Sequence, residues 1–477
     1  MKRRDFIKAA AFSAASLGRS ATSAAGPGNL PADRRGNEPA NVVLIVSDDQ
    51  AHADLGVAGH PLLKTPNLDR LAREDVHFTH AFSPNPICTP SRAAILTGQD
   101  CWTNGCYFFG MPIKESSTQF AMLFSQAGYE TFYTGKWHND GWPWLRGFTS
   151  GEYICSGGPG KGGQVKPTVM DFGGGNKRQI ERFSTTLFTD AAVGFLNRRK
   201  PGDKPFLIYV SYTTPHDPWT PPGEYARMYE PAKIALPPNF MPRPMDGDRP
   251  FKWFTDWHGT NLRDEALMPF PRTPEGVRDV RSRYYGTVTH MDREIGRILD
   301  ALDEKPLTKN TLVMFVADQG ISLGAHGFSG KQTMYEEGIR LPMIIRYPRL
   351  RRGNARISNL VSLTDIFPTI CDATGIKVPE AIEGKSLLSL YQGKADWNRD
   401  RIFTAFHSPT QHRLIVRSIR TTRYKLIHHL TTNEVELYDL QKDPYELENL
   451  AGKEGHADLQ KQLAAELLGW RTRVERE

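Results

Sequence analysis

The sequence predicts an α/β fold in which a large, mainly parallel sheet is flanked by helices and a small C-terminal α+β subdomain adds a short antiparallel sheet plus a helix. Three patterns carry that reading. Short β-branched apolar runs alternate with helix-period segments, the rhythm of a parallel sheet covered by helices. Polar clusters stand directly after several of those runs, where open α/β sheets place their sites. Beyond about residue 384 the alternation gives way to closely spaced short strands and one terminal helix.

Strands are expected at residues 41–46, 131–134, 205–212, 311–317 and 343–347, and helices at 67–74, 91–96, 118–127, 185–199 and 281–303. In the last of these helices Met291, Ile295, Ile298 and Leu302 share one face at helical spacing, which marks core rather than a site. Two stretches break the rhythm: residues 137–176, dense in glycine, and 218–274, dense in proline and aromatics. Loops of that length are functional or disordered. Further strands are expected at 414–421, 425–429 and 435–440, followed by a helix from about Ala457. The organisation is therefore a signal segment over 1–25, a leader over 26–39, a main α/β domain over 40–384 and the α+β subdomain over 385–477.

The formal net charge is +7, but Lys2, Arg3, Arg4, Lys8 and Arg19 against Asp5 put +4 of it in the first 25 residues. The remaining +3 is scattered, which argues against a nucleic-acid partner, since that would need a concentrated basic face. Arg3-Arg4-Asp5-Phe6-Ile7-Lys8, then a weakly apolar stretch and Ala/Ser-rich residues to Ala25, resembles a twin-arginine export signal; a basic frayed terminus is the alternative. That resemblance implies the twin-arginine export machinery as a partner and a periplasmic or secreted location of bacterial type. The apolar run is shorter than the ~20 residues of a bilayer span, so no stable membrane span is expected. Five cysteines are an odd count. Cys88 is the candidate for another job, while Cys101, Cys106, Cys155 and Cys371 are either paired, in any of three ways, or buried thiols.

Asp48-Asp49 follow the first expected strand, and Asp318-Gln319-Gly320 follow the strand at 311–317. An Asp-Asp pair at a strand end is by itself a common turn or cap. A second cluster in the equivalent place turns the pair into a candidate cation site, whose carboxylate and amide oxygens suit Ca²⁺, with Mg²⁺ as the alternative, rather than zinc.

The run Cys88-Thr89-Pro90-Ser91-Arg92-Ala93-Ala94-Ile95-Leu96-Thr97-Gly98 resembles the signature of type I, formylglycine-dependent sulfatases of the alkaline phosphatase superfamily. Further matches follow in family order: Gly128-Tyr129-Glu130-Thr131 and Gly135-Lys136-Trp137-His138, then Pro215-His216-Asp217-Pro218, then Lys331 before Met334-Tyr335-Glu336, then Glu436-Leu437-Tyr438-Asp439-Leu440. The resemblance implies that a maturation enzyme oxidises Cys88 to formylglycine. It implies a cation held by Asp48, Asp49, Asp318, Gln319 and residue 88, and Lys136 and Lys331 on the sulfate. His138 would orient or deprotonate the nucleophile, His216 would protonate the leaving oxygen, and Arg92 would steady the nucleophile and its helix start. Gln319 departs from the Asn or His of many relatives, which leaves its oxygen chemistry but alters its reach.

Attack on a sulfate monoester needs a nucleophile, masking of anionic oxygens and a proton for the departing alcohol, and these residue types supply all three. A sulfated carbohydrate is the expected substrate. Trp142, Trp144 and Trp219 stand close in sequence to the catalytic candidates, and Trp253, Trp257 and His258 lie farther along the second insert. Indole faces pack sugar C–H groups, while Arg146, Arg283, His407 and His412 are candidates for the polar contacts. Taken singly, each tryptophan also reads as a pin for its loop. Two alternatives stand beside a sulfatase: a phosphodiester or phosphonate monoester hydrolase of the same superfamily, and a catalytically silent, cation-stabilised binding protein.

Overall fold

The computed structural model describes residues 39–158, 160–247, 249–256, 263–350, 353–394, 397–408 and 414–475. The expected signal segment, the leader up to residue 38, Trp257, His258 and His412 lie outside the described residues.

Asn41–Ser47 lies inside the large sheet, and all seven of its residues are buried. Alternation sends Val42, Leu44 and Val46 into one apolar core and Val43 and Ile45 into another, so the near-continuous apolar run reflects burial on both faces. The first core is closed by the helices Cys88–Thr97, Phe120–Gln126 and Ile366–Thr374. The second is closed by Pro66–Glu74, Ser184–Arg198 and Pro274–Glu304.

Across the nine-stranded sheet the order is Ala355–Ile357, Val76–Phe82, Arg340–Arg346, Thr311–Ala317, Asn41–Ser47, Phe206–Ser211, Glu130–Lys136 and Ser150–Cys155, with Val361–Ser362 also paired to Val76–Phe82. Pairing is parallel except where Arg340–Arg346 runs antiparallel to both of its neighbours. Two of these strands escape sequence patterning. Val76–Phe82 carries two histidines and a threonine among its apolar residues, and Ser150–Cys155 starts Ser-Gly-Glu within the glycine-rich insert. The long helix also begins earlier than residue 281: Pro274 takes the first turn and the Thr273 side chain caps it by accepting from Gly276 N–H at 3.1 Å.

The C-terminal part forms a four-stranded antiparallel sheet, Arg401–His407, Ile415–Thr421, Tyr424–His429 and Glu434–Asp439, with the helix Ala457–Val474 beside it. Leu463, Leu467 and Trp470 of that helix share a core with Ile419, Leu426 and Leu437. A different cluster joins the two sheets, where Phe82, Phe328 and Tyr335 meet Phe406, Ile427 and Tyr438. Among the described residues no helix is long and apolar enough to cross a membrane.

Candidate active site

Parallel pairing brings the polar clusters together. Ser47 lies opposite Ala317 in adjacent parallel strands, so Asp48-Asp49 and Asp318-Gln319 leave the sheet side by side. On the other flank Gly135 pairs with Ser211. A Cβ at position 135 would sit 1.9 Å from the Ser211 carbonyl oxygen, and φ there is +102°, so only glycine lets Lys136 follow that strand end so closely. Cys88 is the first residue of the helix Cys88–Thr97, with its side chain 1% exposed.

Around Cys88 Sγ stand Gln319 Nε2 at 3.3 Å, Lys331 Nζ at 3.4 Å and Asp48 Oδ1 at 3.5 Å. Lys136 Nζ is 2.5 Å from Asp48 Oδ2, and Lys331 Nζ is 2.7 Å from each Asp49 oxygen. Arg92 reaches Asp318 Oδ2 at 2.8 Å and Asp48 Oδ1 at 3.7 Å, and its other arm donates to Ser211 Oγ. Asp318 Oδ1 accepts the backbone N–H groups of Gln319 and Asp49 at 2.9 and 3.3 Å. Asp49 and His138 both hold positive φ, 66° and 55°, a cost that surrounding structure must offset and that clusters at functional sites.

His216 faces Asp49 Oδ2 with Nε2 at 3.7 Å, while its Nδ1 donates to the Asp217 carbonyl at 2.8 Å. That carbonyl can only accept, which fixes the proton on Nδ1. His138 donates its backbone N–H to Ser156 O at 2.9 Å and stacks on Phe109, and its Nδ1 is buried with no hydrogen-bond partner among the described residues.

Burial alone would raise the Asp48 carboxyl, but Lys136, His216, Arg92 and Lys331 hold it well below the usual carboxylate range. Burial pushes Asp318 up to about 7 despite Arg92 beside it. Burial likewise lifts the Cys88 thiol to about 12, although Lys136 and Lys331 oppose the rise. His138 is driven well below its ordinary value by burial and then by Lys136, so its ring stays neutral.

The donors fit a hard divalent cation. Ligand atoms of Asp48, Asp49 and Cys88 lie within 4.8 Å of one another, and Gln319 Oε1 is buried with no hydrogen-bond partner among the described residues. Rotating that amide would turn its oxygen toward the carboxylates, so the longer glutamine arm still reaches them.

The residues singled out for sugar binding lie in different surroundings. Trp219 is core: its Nε1 donates to Pro215 O at 2.8 Å and its ring packs edge-on against Tyr284. Trp253 is core as well, 3% exposed and stacked between Phe328 at 5.6 Å and His429 at 4.4 Å. Arg283 is a solvent-facing residue of the long helix, paired with Asp279. His407 is stacked on Tyr107 and Trp102 at 5.5 and 5.7 Å, and Arg146 pairs with Asp140. Trp142 and Trp144 stack on each other at 5.3 Å, and Trp142 lines a cavity of about 520 Å³ together with Ser156, Lys161 and Lys177.

Three contributors carry no signal in the sequence. Ser211 accepts from Arg92 and donates to Lys136 O at 2.6 Å, yet reads only as a strand end. Arg263 clamps the Asp217 carboxylate from within the second insert. Glu265 accepts from the Ser329 and Gly330 N–H groups, each at 3.1 Å, immediately before Lys331, and is paired in turn with buried Arg272.

Residues 40–376 match the family model described as Sulfatase, and residues 324–473 match the one described as N-sulphoglucosamine sulphohydrolase, C-terminal. An N-acetylglucosamine-6-O-sulfatase of Bacteroides thetaiotaomicron is 30% identical over 478 residues, covering 89% of this chain and 84% of that protein. A protein solved in complex with its substrate D-glucosamine-2-N,6-O-disulfate superposes with a TM-score of 0.79 at 27% identity, covering 92% of this chain and 99% of the other. A phosphonate monoester hydrolase of Agrobacterium radiobacter shares the fold, with a TM-score of 0.74 at 23% identity over 91% of this chain and 96% of its own.

Proposed function

Since the chain belongs to the sulfatase family, we propose that it is an exported enzyme that hydrolyses a sulfate monoester on a carbohydrate, with formylglycine made from Cys88 as its nucleophile. Water is consumed, the ester is cleaved, and the products are an alcohol and inorganic sulfate. The observation that carries the reading is the convergence on Cys88 Sγ, at a helix start, of an amide, a carboxylate and an ammonium within 3.5 Å. Burial raises the Cys88 thiol, which works against a simple thiolate nucleophile.

Asp48, Asp49, Asp318 and Gln319, with residue 88, would hold the cation, Ca²⁺ ahead of Mg²⁺ because irregular all-oxygen sets suit calcium. The oxidised residue 88 would supply a hydroxyl nucleophile, and the bound cation would supply Lewis acidity toward the ester. Lys136 and Lys331 neutralise sulfate oxygens in a buried setting where each charge counts for more than in water. His138, kept neutral, accepts or orients the nucleophile's proton. With its Nδ1–H bonded to the Asp217 carbonyl, His216 turns Nε2 to the leaving oxygen and, when the ring carries its second proton, donates that proton there. Arg92, locked onto Asp318 and Ser211, positions the helix start.

The charge pattern favours an anionic ester. The buried carboxylates of Asp48, Asp49 and Asp318 are already matched by Arg92, Lys136 and Lys331, so a divalent ion makes the site net positive. The sugar-sulfate relatives favour a sulfated carbohydrate over another sulfate ester. Burial of Cys88 favours modification before the chain closes, in the cytoplasm, ahead of twin-arginine export of folded protein.

The test uses mature protein made together with a maturation enzyme, assayed on sulfated saccharides, an aryl sulfate, and phosphate and phosphonate esters. Expected are sulfate release from a saccharide with its glycosidic bonds intact and an aldehyde or its hydrate at residue 88 by peptide mass spectrometry. Chelation abolishes turnover, and Ca²⁺ or Mg²⁺ restores it. Full activity with an unmodified thiol, or preference for the phosphonate ester, overturns the reading.

A further inference from the structure

We propose that His326, Glu337 and Glu446 form a second divalent-cation site, suited to Zn²⁺, which clamps both ends of the segment that carries Lys331 to the C-terminal part of the chain.

One ligand atom from each of the three residues falls within 4.8 Å of the other two. His326 is 4% exposed and Glu446 2% exposed, so the cluster is internal. His326 Nε2 and Glu337 Oε2 are both buried without a hydrogen-bond partner among the described residues, which leaves a nitrogen lone pair and a carboxylate oxygen for a ligand to use. Leaving such buried groups unsatisfied destabilises the fold, and a bound cation relieves it.

The surroundings fix each donor. The His326 ring stacks on Tyr335 with centroids 3.8 Å apart, and its backbone N–H donates to Asn239 O at 2.8 Å. Asn239 Nδ2 in turn donates to Glu337 Oε1 at 2.7 Å, so one residue orients two of the three ligands. Glu446 Oε2 accepts the Glu336 N–H at 2.8 Å, and Lys425 Nζ lies 2.8 Å from both Glu446 Oε1 and Glu336 Oε1. Oxygen lone pairs remain on both glutamates for a cation.

One imidazole and two carboxylates are a zinc-type donor set, unlike the oxygen-rich set at Asp48, Asp49, Asp318 and Gln319. The location gives the site a purpose. His326 precedes Lys331 and Glu337 follows it, while Gly320, next to Gln319, packs so tightly that a Cβ there would lie 1.9 Å from Glu337 O. A cation at the cluster therefore braces Lys331 and Gln319 without touching the reacting atoms.

The experiment uses full-length Cys88→Ala protein, which removes a competing thiol ligand for zinc from the other cluster, loaded with Ca²⁺ and titrated with Zn²⁺ against a chromophoric chelator. One tight zinc equivalent per chain is expected, with a matching rise in melting temperature. Adding His326→Gln or Glu337→Gln should weaken that binding at least about 100-fold and remove the rise. Should His326→Gln fail to fold, Glu337→Gln, whose side chain is less buried, decides the matter. Absence of a zinc equivalent in the Cys88→Ala protein, or unchanged affinity in the folded variants, overturns the proposal, whether or not the sulfatase reading stands.

Discussion

At the strand ends Asp48, Asp49, Lys136, Asp318 and Gln319 arrive at one point, whereas the described tryptophans of the second insert scatter into separate cores. Both groups look functional as residue types. The difference lies in what fixes their position. A residue that follows a parallel strand is placed by backbone pairing, and Ser47 opposite Ala317 carries both acidic clusters to the same edge. A tryptophan in a long insert is placed by whatever apolar surface it finds, and Trp253 finds Phe328 and His429.

The most severe way to break this contrast is to remove the sulfur at the strand-end centre. Cys88→Ala should reduce turnover of an aryl sulfate by roughly 10⁴-fold or more while leaving the fold intact by melting temperature and circular dichroism, since the nucleophile is lost and Asp48, Asp49, Asp318 and Gln319 remain for the cation. Retained turnover would take residue 88 out of the chemistry and dissolve the distinction between the two regions.

The same contrast explains what was legible beforehand. The strands at Asn41–Ser47 and Thr311–Ala317 are uninterrupted apolar runs that only double burial explains, so they and the acidic residues after them stand out. Val76–Phe82 was hidden because His77 is buried within it, and burial of a histidine in a strand leaves no trace in a hydropathy pattern. Ser211, Arg263 and Glu265 were hidden for another reason. Each acts through a partner far away in sequence, Arg92, Asp217 or Gly330, and spacing carries no information about such pairs. The start of the long helix was lost to Pro274 and Gly276, which read as loop until Thr273 is recognised as its cap.

Trp253 sharpens the comparison from the other side. It is 3% exposed, its backbone N–H bonds Glu434, and its ring lies between the segment leading to Lys331 and the C-terminal sheet. Trp253→Ala should destabilise the fold by about 3–5 kcal/mol, the usual range for emptying a large aromatic site. Any loss of kcat/KM should be the same for a saccharide and for a small aryl sulfate, because the ring holds structure and meets no substrate. A loss confined to the saccharide would return Trp253 to the binding surface.

Trp142 is the tryptophan for which the opposite result is expected, with the smallest effect. It stacks on Trp144 at 5.3 Å with planes 5° apart, so one face is held, and it lines the cavity of about 520 Å³. Ser156, which lines the same cavity, accepts the His138 backbone N–H, so the space adjoins the segment that carries a catalytic candidate. Lys161 and Lys177 on its wall add positive charge beside the tryptophan, a pairing that suits the ring and anionic group of a sulfated sugar. An aromatic contact of this kind contributes about 0.5–1.5 kcal/mol. Trp142→Ala should therefore lower kcat/KM for a sulfated saccharide about tenfold at most, chiefly through KM, and leave an aryl sulfate that does not extend into the cavity unaffected. Equal losses on both substrates would make Trp142 a pin for its loop, as Trp253 is for its own.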